Sequence, residues 1–335
     1  MPATGLAGFF GRSLRRTGEG ADLGGDAMPR KEHMNGARWG GLWVRLAGLA
    51  LAASVVLDGL PSAPRPAQAE PALGRRPSPL EATSSAAARQ DALRSIPLDK
   101  LDAQSQSRVA RVLSDVSFFR RMPTRIIQCD PDLYLFLVQH PDVVVNIWEV
   151  MGLTQMAIRQ HGPGLYGVAD VAGTKGTAEY LYSSHDTHLI YTEGAYEGRL
   201  FARPIRGSGL ILLKSGYVRE TDGRYYVTCR MDAFVRVDHV GADLLARTFH
   251  PLVGKVADIN FTQTAGFFGS LSRTAEVDRD GVRRLAARLN HVEPEVRDRF
   301  AQIAEQVARK TAQREKPPTE GPVLVAARPA EDEAP

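Results

Sequence analysis

Cysteine is scarce in this chain, with only Cys129 and Cys229 among 335 residues. Two thiols cannot build a disulfide scaffold or a cysteine-ligated zinc cluster. They read as small buried apolar residues, with a mutual pairing left open for an oxidising compartment. Excess charge is scarce too. The formal net charge is +4, and residues 1–69 account for +3 of it. The remaining body is nearly neutral and has no basic stripe to replace counterions along a phosphate backbone, so nucleic acid is not expected as a partner. Long apolar runs are missing. The most apolar stretch, Leu46–Leu57, is well short of the roughly 20 residues that span a bilayer.

Motifs that carry chemistry are absent as well. There is no G-x-S-x-G elbow, no H-E-x-x-H and no C-x-x-C. The glycines at Gly162–Gly164, Gly173–Gly176 and Gly207–Gly209 fall between strand-like runs and open no helix, so none reads as a nucleotide loop. His185 and His188 bracket Asp186 and Thr187, but residues three apart on a strand face opposite sides, and no third ligand is evident. No metal and no cofactor are therefore expected. His140, His239 and His250 are isolated, and Asp232 and Asp238 fall on the outward strand face. No catalytic residue is assigned.

What is present begins with a leader. Arg38 and Arg45 precede the apolar run, and Ala67-Gln68-Ala69 supplies small residues at the −3 and −1 positions of a cleavage site. Counted from Met34, this is a secretory signal of ordinary length, cleaved before Glu70. It predicts a periplasmic or secreted protein. Left uncleaved, the segment would anchor the chain at a membrane surface. Residues 1–69 thus form an N-terminal extension with a signal peptide, and 70–96 read as a flexible Pro-, Ala- and Ser-rich linker. Residues 97–312 hold the folded domain, and 313–335 a disordered, charge-rich tail.

The centre of that domain is Arg224–Leu271. Tyr225, Val227, Cys229, Met231, Ala233, Val235 and Val237 share one face of a strand. Thr228, Arg230, Asp232, Arg236 and Asp238 share the other. Alternation this long predicts a strand crossing a whole sheet. Beyond Gly241 the period changes: Leu245, Phe249, Leu252, Val256, Phe267 and Leu271 recur as on one helix face. Upstream, Phe118–Gln128 reads as a first strand with Pro123 at an edge or bulge. Asp130-Pro131 opens a short helix that His140-Pro141 ends, and Val143–Met151 forms a second that Gly152 stops. From Met156 to Arg219 short alternating runs separated by turn residues predict antiparallel hairpins, the last closed by Asp222-Gly223. Pro97–Phe118, Ala275–Leu289 and Glu295–Ala312 read as further helices. The class is α+β: a curved antiparallel sheet of six to eight strands gripping a long C-terminal helix, with extra terminal helices.

This order of strand, two short helices, meander and long helix resembles the START and birch-allergen-like helix-grip superfamily over Phe118–Leu271. Local support comes from the His140-Pro141 and Trp148 region and from the Phe249–Phe268 helix. The resemblance implies an apolar cavity between sheet and final helix, lined by Val227, Cys229, Met231, Ala233, Phe249, Val256 and Phe267. It implies a hydrophobic small molecule or lipid as partner. The competing reading is an envelope interaction domain with a filled core and no ligand. A third is an enzyme of the cyclase or hydrolase type using cavity histidines.

Overall fold

The computed structural model of the chain describes residues 78, 80–198, 204–238 and 250–314, leaving aside the side chains of 250–252. The leader, the Leu200–Pro204 run up to residue 203, the expected helix start at Leu245–Phe249 and the tail from 315 lie outside the described residues.

Seven α-helices and eight strands stand among the described residues. They are α1 (Ala86–Arg94), α2 (Ala103–Ser114), β1 (Phe118–Arg121), β2 (Arg125–Gln128), α3 (Pro131–Gln139), α4 (Pro141–Val150) and β3 (Ala157–Gly162). Then come β4 (Leu165–Ala169), β5 (Thr174–Ser183), β6 (Thr187–Tyr196), β7 (Ile205–Arg219), β8 (Tyr225–Val237), α5 (His250–Val277), α6 (Arg279–Ala287) and α7 (Pro294–Arg314). The strands form one open antiparallel sheet in the order β1-β8-β7-β6-β5-β4-β3, with β2 also on β8.

The expected first strand is broken in two. β1 pairs with β8 from Phe118↔Val235 to Arg121↔Asp232, and β2 from Arg125↔Cys229 to Gln128↔Tyr226. Between them Pro123 has no N–H to donate, so the ladder stops there and resumes. Met122 still donates its N–H to the Met231 carbonyl at 2.9 Å. At the other end of β8, Gly223 takes φ 81° in the turn from β7, a conformation that favours glycine.

α5 lies in the concavity of the sheet. Glycine at 269 lets it approach β2, since a Cβ there would stand 3.3 Å from the Gln128 carbonyl oxygen. Polar ties hold it along the β1/β2 edge. Arg120 is bound bidentately to Asp258, Arg125 donates to Thr262 Oγ1 at 3.0 and 2.9 Å, and Asp130 N donates to Ser272 Oγ at 2.9 Å. α3 starts at Asp130, whose carboxylate accepts from the N–H groups of Asp132 and Leu133. Pro141 then ends it and starts α4.

The outward face of β8 is not a solvent face. Phe234, Leu210, Leu212, Leu189, Tyr191 and Phe119 pack there under Ala92, Val109 and Val112 of α1 and α2. Asp232 is fully buried with Arg121, which binds its carboxylate at 2.6 and 3.0 Å and reaches Asp91 of α1 at 2.8 Å. So α1 occupies part of the stretch that composition reads as linker, and its buried Ala88 and Ala92 hold it to the sheet. At the C-terminus, α6 and α7 join the main core. Phe300 is fully buried and stacks on Phe136 at 5.9 Å. Lys310 spans Asp130 and Asp132 at 2.8 and 2.7 Å.

Candidate ligand cavity

Between the inner sheet face and α3, α4 and α5 lies a cavity of about 230 Å³. Native interiors contain few voids larger than a water molecule, so this volume is far above ordinary packing defects. Its floor is sheet: Val168, Ala178, Ile190, Ile211, Leu213 and Met231 all face inward. Its roof is helical, with Val138 and Val144 from the short helices, Trp148, and Phe261, Ala265 and Phe268 from α5.

The volume has a local cause. Where β5 meets β6 the inner face carries Gly176 opposite Gly194, with Gly209 nearby on β7. A Cβ at 176 would meet the Glu193 carbonyl at 2.4 Å, and one at 194 the Lys175 carbonyl at 2.5 Å. Side chains are excluded at both positions by backbone, and the floor stays bare.

Tyrosines brace the proline junction of α3 and α4. Pro141 cannot extend the α3 ladder, and the last carbonyls of α3 need other donors. Tyr166 OH donates to the Gln139 carbonyl at 2.8 Å, and Tyr180 OH donates to the Val138 carbonyl. Tyr134 OH shares a 2.8 Å hydrogen bond with Ser215 Oγ. Burial pushes all three phenols upward, so they remain neutral donors. Beyond Tyr180 sits His188, fully buried, its Nδ1 2.9 Å from Ser183 Oγ. Burial lowers its pKa to about 4. His185 instead packs at a tilt against Tyr217, 4.2 Å between ring centres, so the two histidines serve different neighbours.

Of the residues expected to line the cavity, Cys229, Met231 and Ala233 do so. Val227 is buried in the same row of β8 but further along the strand, outside the cavity walls. Phe267 turns to the Trp148 ring at 5.5 Å and fills core rather than wall, and Val256 lies on α5 without reaching the cavity. The inward stripe of α5 is carried instead by Phe261, Ala265 and Phe268, a phase that residues 245–256 do not reveal. Phe249 lies outside the described residues, as do His239 and the side chain of His250. The walls contributed by β4, β5, β6 and α4 were missed, because period-two runs in short strands do not say which face is concave. Cys229 is pushed up to about 12 by burial, so its thiol stays protonated and inert. Cys129 is also a free, buried thiol, so the two do not pair.

Strand order, two helices between β2 and β3, and a long helix seated in the concavity are together the helix-grip architecture of START and birch-allergen-like proteins. That assignment rests on the chain's own topology. No family model matches the chain, and no curated protein matches it. Among solved structures it is similar to Ara h 8.0201, at 13% identity and TM-score 0.29 over 45% of this chain and 99% of that one. It is similar to a conserved protein from Geobacillus kaustophilus, at 13% identity and TM-score 0.27 over 44% and 93%. The di-domain ARO/CYC BexL from the BE-7585A biosynthetic pathway is 11% identical, with TM-score 0.27 over 55% and 57%.

Proposed function

We propose that the chain is an exported protein that binds a hydrophobic small molecule in the cavity under α5. The cavity itself carries this reading. It holds about 230 Å³ behind walls that are almost wholly apolar, whereas an interaction domain with a filled core needs no such volume. A cavity of roughly 150 Å³ accommodates benzene, so this one fits a ligand of about ten non-hydrogen atoms. A two-chain lipid is therefore too large to enter whole. Burying about 250 Å² of apolar ligand surface contributes at most about 6 kcal/mol. Dissociation constants then fall in the range of tens of micromolar and weaker.

The experiment is to fill the space. Ala233 points into the cavity and is 3% exposed. Ala233→Leu and Ala178→Leu each place a larger side chain in the ligand volume. Calorimetric titration with naphthalene should show binding to the wild type and at least tenfold weaker binding to both variants, with thermal midpoints maintained. Equal affinity in wild type and variants would place the ligand elsewhere and sink the proposal.

Export is supported by the basic segment, the Leu46–Leu57 run and Ala67-Gln68-Ala69. No helix among the described residues is long and apolar enough to cross a membrane.

A further inference from the structure

The cavity is apolar but not featureless, and its polar atoms are not equivalent. The hydroxyls of Tyr134, Tyr166 and Tyr180 are engaged, by Ser215 and by the carbonyls that end α3. Thr264 on α5 donates to the Asn260 carbonyl at 2.9 Å. Thr192 on β6 is only half-buried. Thr174 differs from all of these. It opens β5 on the inward face, lines the cavity and is 4% exposed. Its backbone N–H donates to Asp170 Oδ1 at 2.9 Å, but its Oγ1 has no partner among the described residues. A buried hydroxyl without a partner is costly, and that cost is relieved when a bound molecule supplies one.

The residue lines the cavity, and its hydroxyl oxygen is buried at that wall. The next inward positions after Thr174 are Gly176 and, across the ladder, Gly194. Backbone excludes a Cβ at both, so the floor is bare on that side of Thr174, while Tyr196, directly across the ladder, stands beside it. Charge is kept out of the same region. Lys175 borders the cavity, but its side chain is 73% exposed and pairs with Glu197 at 3.9 Å. Glu193 also borders it and accepts from the Tyr191 hydroxyl at 2.9 Å. A carboxylate or phosphate entering would lose its hydration and find no buried cation among the described residues of the wall.

We propose that Thr174 is the specificity-determining residue of this cavity and that it selects neutral ligands bearing one hydroxyl or carbonyl over matching hydrocarbons and anions. The inference rests on the cavity being a ligand site. A rigid bicyclic alcohol, phenol or ketone fits both the volume and the single polar anchor.

Calorimetric titration of the full chain with naphthalene, 2-naphthol and 2-naphthoate tests it, because the three share one ring system. Thr174→Val keeps the branched shape and removes the hydroxyl; Thr174→Ser keeps the hydroxyl. The valine variant should bind 2-naphthol about fivefold more weakly than the wild type, the worth of one hydrogen bond between neutral groups. Its affinity for naphthalene should be unchanged, and the serine variant should recover 2-naphthol binding. The wild type should bind 2-naphthoate at least about tenfold more weakly than 2-naphthol. Unchanged 2-naphthol affinity in Thr174→Val, or naphthoate binding as tight as naphthol, overturns the selection by Thr174 while leaving the cavity as a ligand site. Failure of all three compounds to bind the wild type overturns both.

Discussion

His188 shows how little a residue type says before its surroundings are known. On a turn beside His185 it resembles half of a metal site. In the fold it is buried on β6, between β5 and β7, edge-on to Tyr180 at 6.3 Å, with Nε2 lacking a partner among the described residues. Burial depresses its pKa to about 4, against a small opposing pull from Asp186. The folded state therefore prefers the neutral ring. The associated stability is fully present above the unfolded pKa near 6.5 and is lost as pH falls from there toward 4. The loss amounts to about 3 kcal/mol over that window. Urea unfolding at pH 7 and pH 4 should show a drop in the wild type that His188→Gln reduces by about that amount; an equal drop in both would place the acid sensitivity elsewhere. Asp232 makes the same point about charge. Its position in the alternation marks it as outward, yet outward here means under α1, where Arg121 compensates a fully buried carboxylate.

At the scale of elements, local sequence signals fix the structure wherever backbone chemistry decides the outcome. Asp130 caps α3, Pro141 ends it, Gly152 at φ 70° stops the turn after α4, and Gly223 closes the last hairpin. The alternation of β8 matched a strand of thirteen residues. Pro123 marked an irregularity, but the split into β1 and β2 came from pairing with β8, which no local pattern reports. α1 was hidden, because Ala- and Arg-rich sequence near a linker becomes a packed helix only when a sheet receives its alanines. α7 is the opposite case: its stripe was visible, but its partner was not. Phe300 is fully buried against Phe136 and belongs to the main core. Phe300→Ala should cost about 3–5 kcal/mol in denaturant unfolding. A loss below about 1 kcal/mol would show that α7 is a detachable appendage.

At the scale of the whole molecule, the sheet is covered on both faces, with α5 and its companions inside and α1 and α2 outside. The described body begins its contacts at Leu80 and Thr83, which bond to Thr124 and Arg121 beyond the proposed cleavage point, so removal of the leader leaves every described contact intact. N-terminal sequencing of the protein recovered from outside the cytoplasm should begin at Glu70. A mature chain that still carries Leu46–Leu57 would overturn cleavage and favour an anchor. The amino-acid sequence alone determined the two short helices, the antiparallel meander, the long helix after it and the inward row of β8, because capping, turn chemistry and periodicity act within a few residues. Only the tertiary structure decided where space remains. The bare backbone at Gly176 and Gly194, the two short helices that meet at Pro141, and the phase of α5 combine to set the cavity and leave Thr174 among its walls. Each depends on backbone from distant parts of the chain meeting at van der Waals distance, a condition that no local pattern encodes.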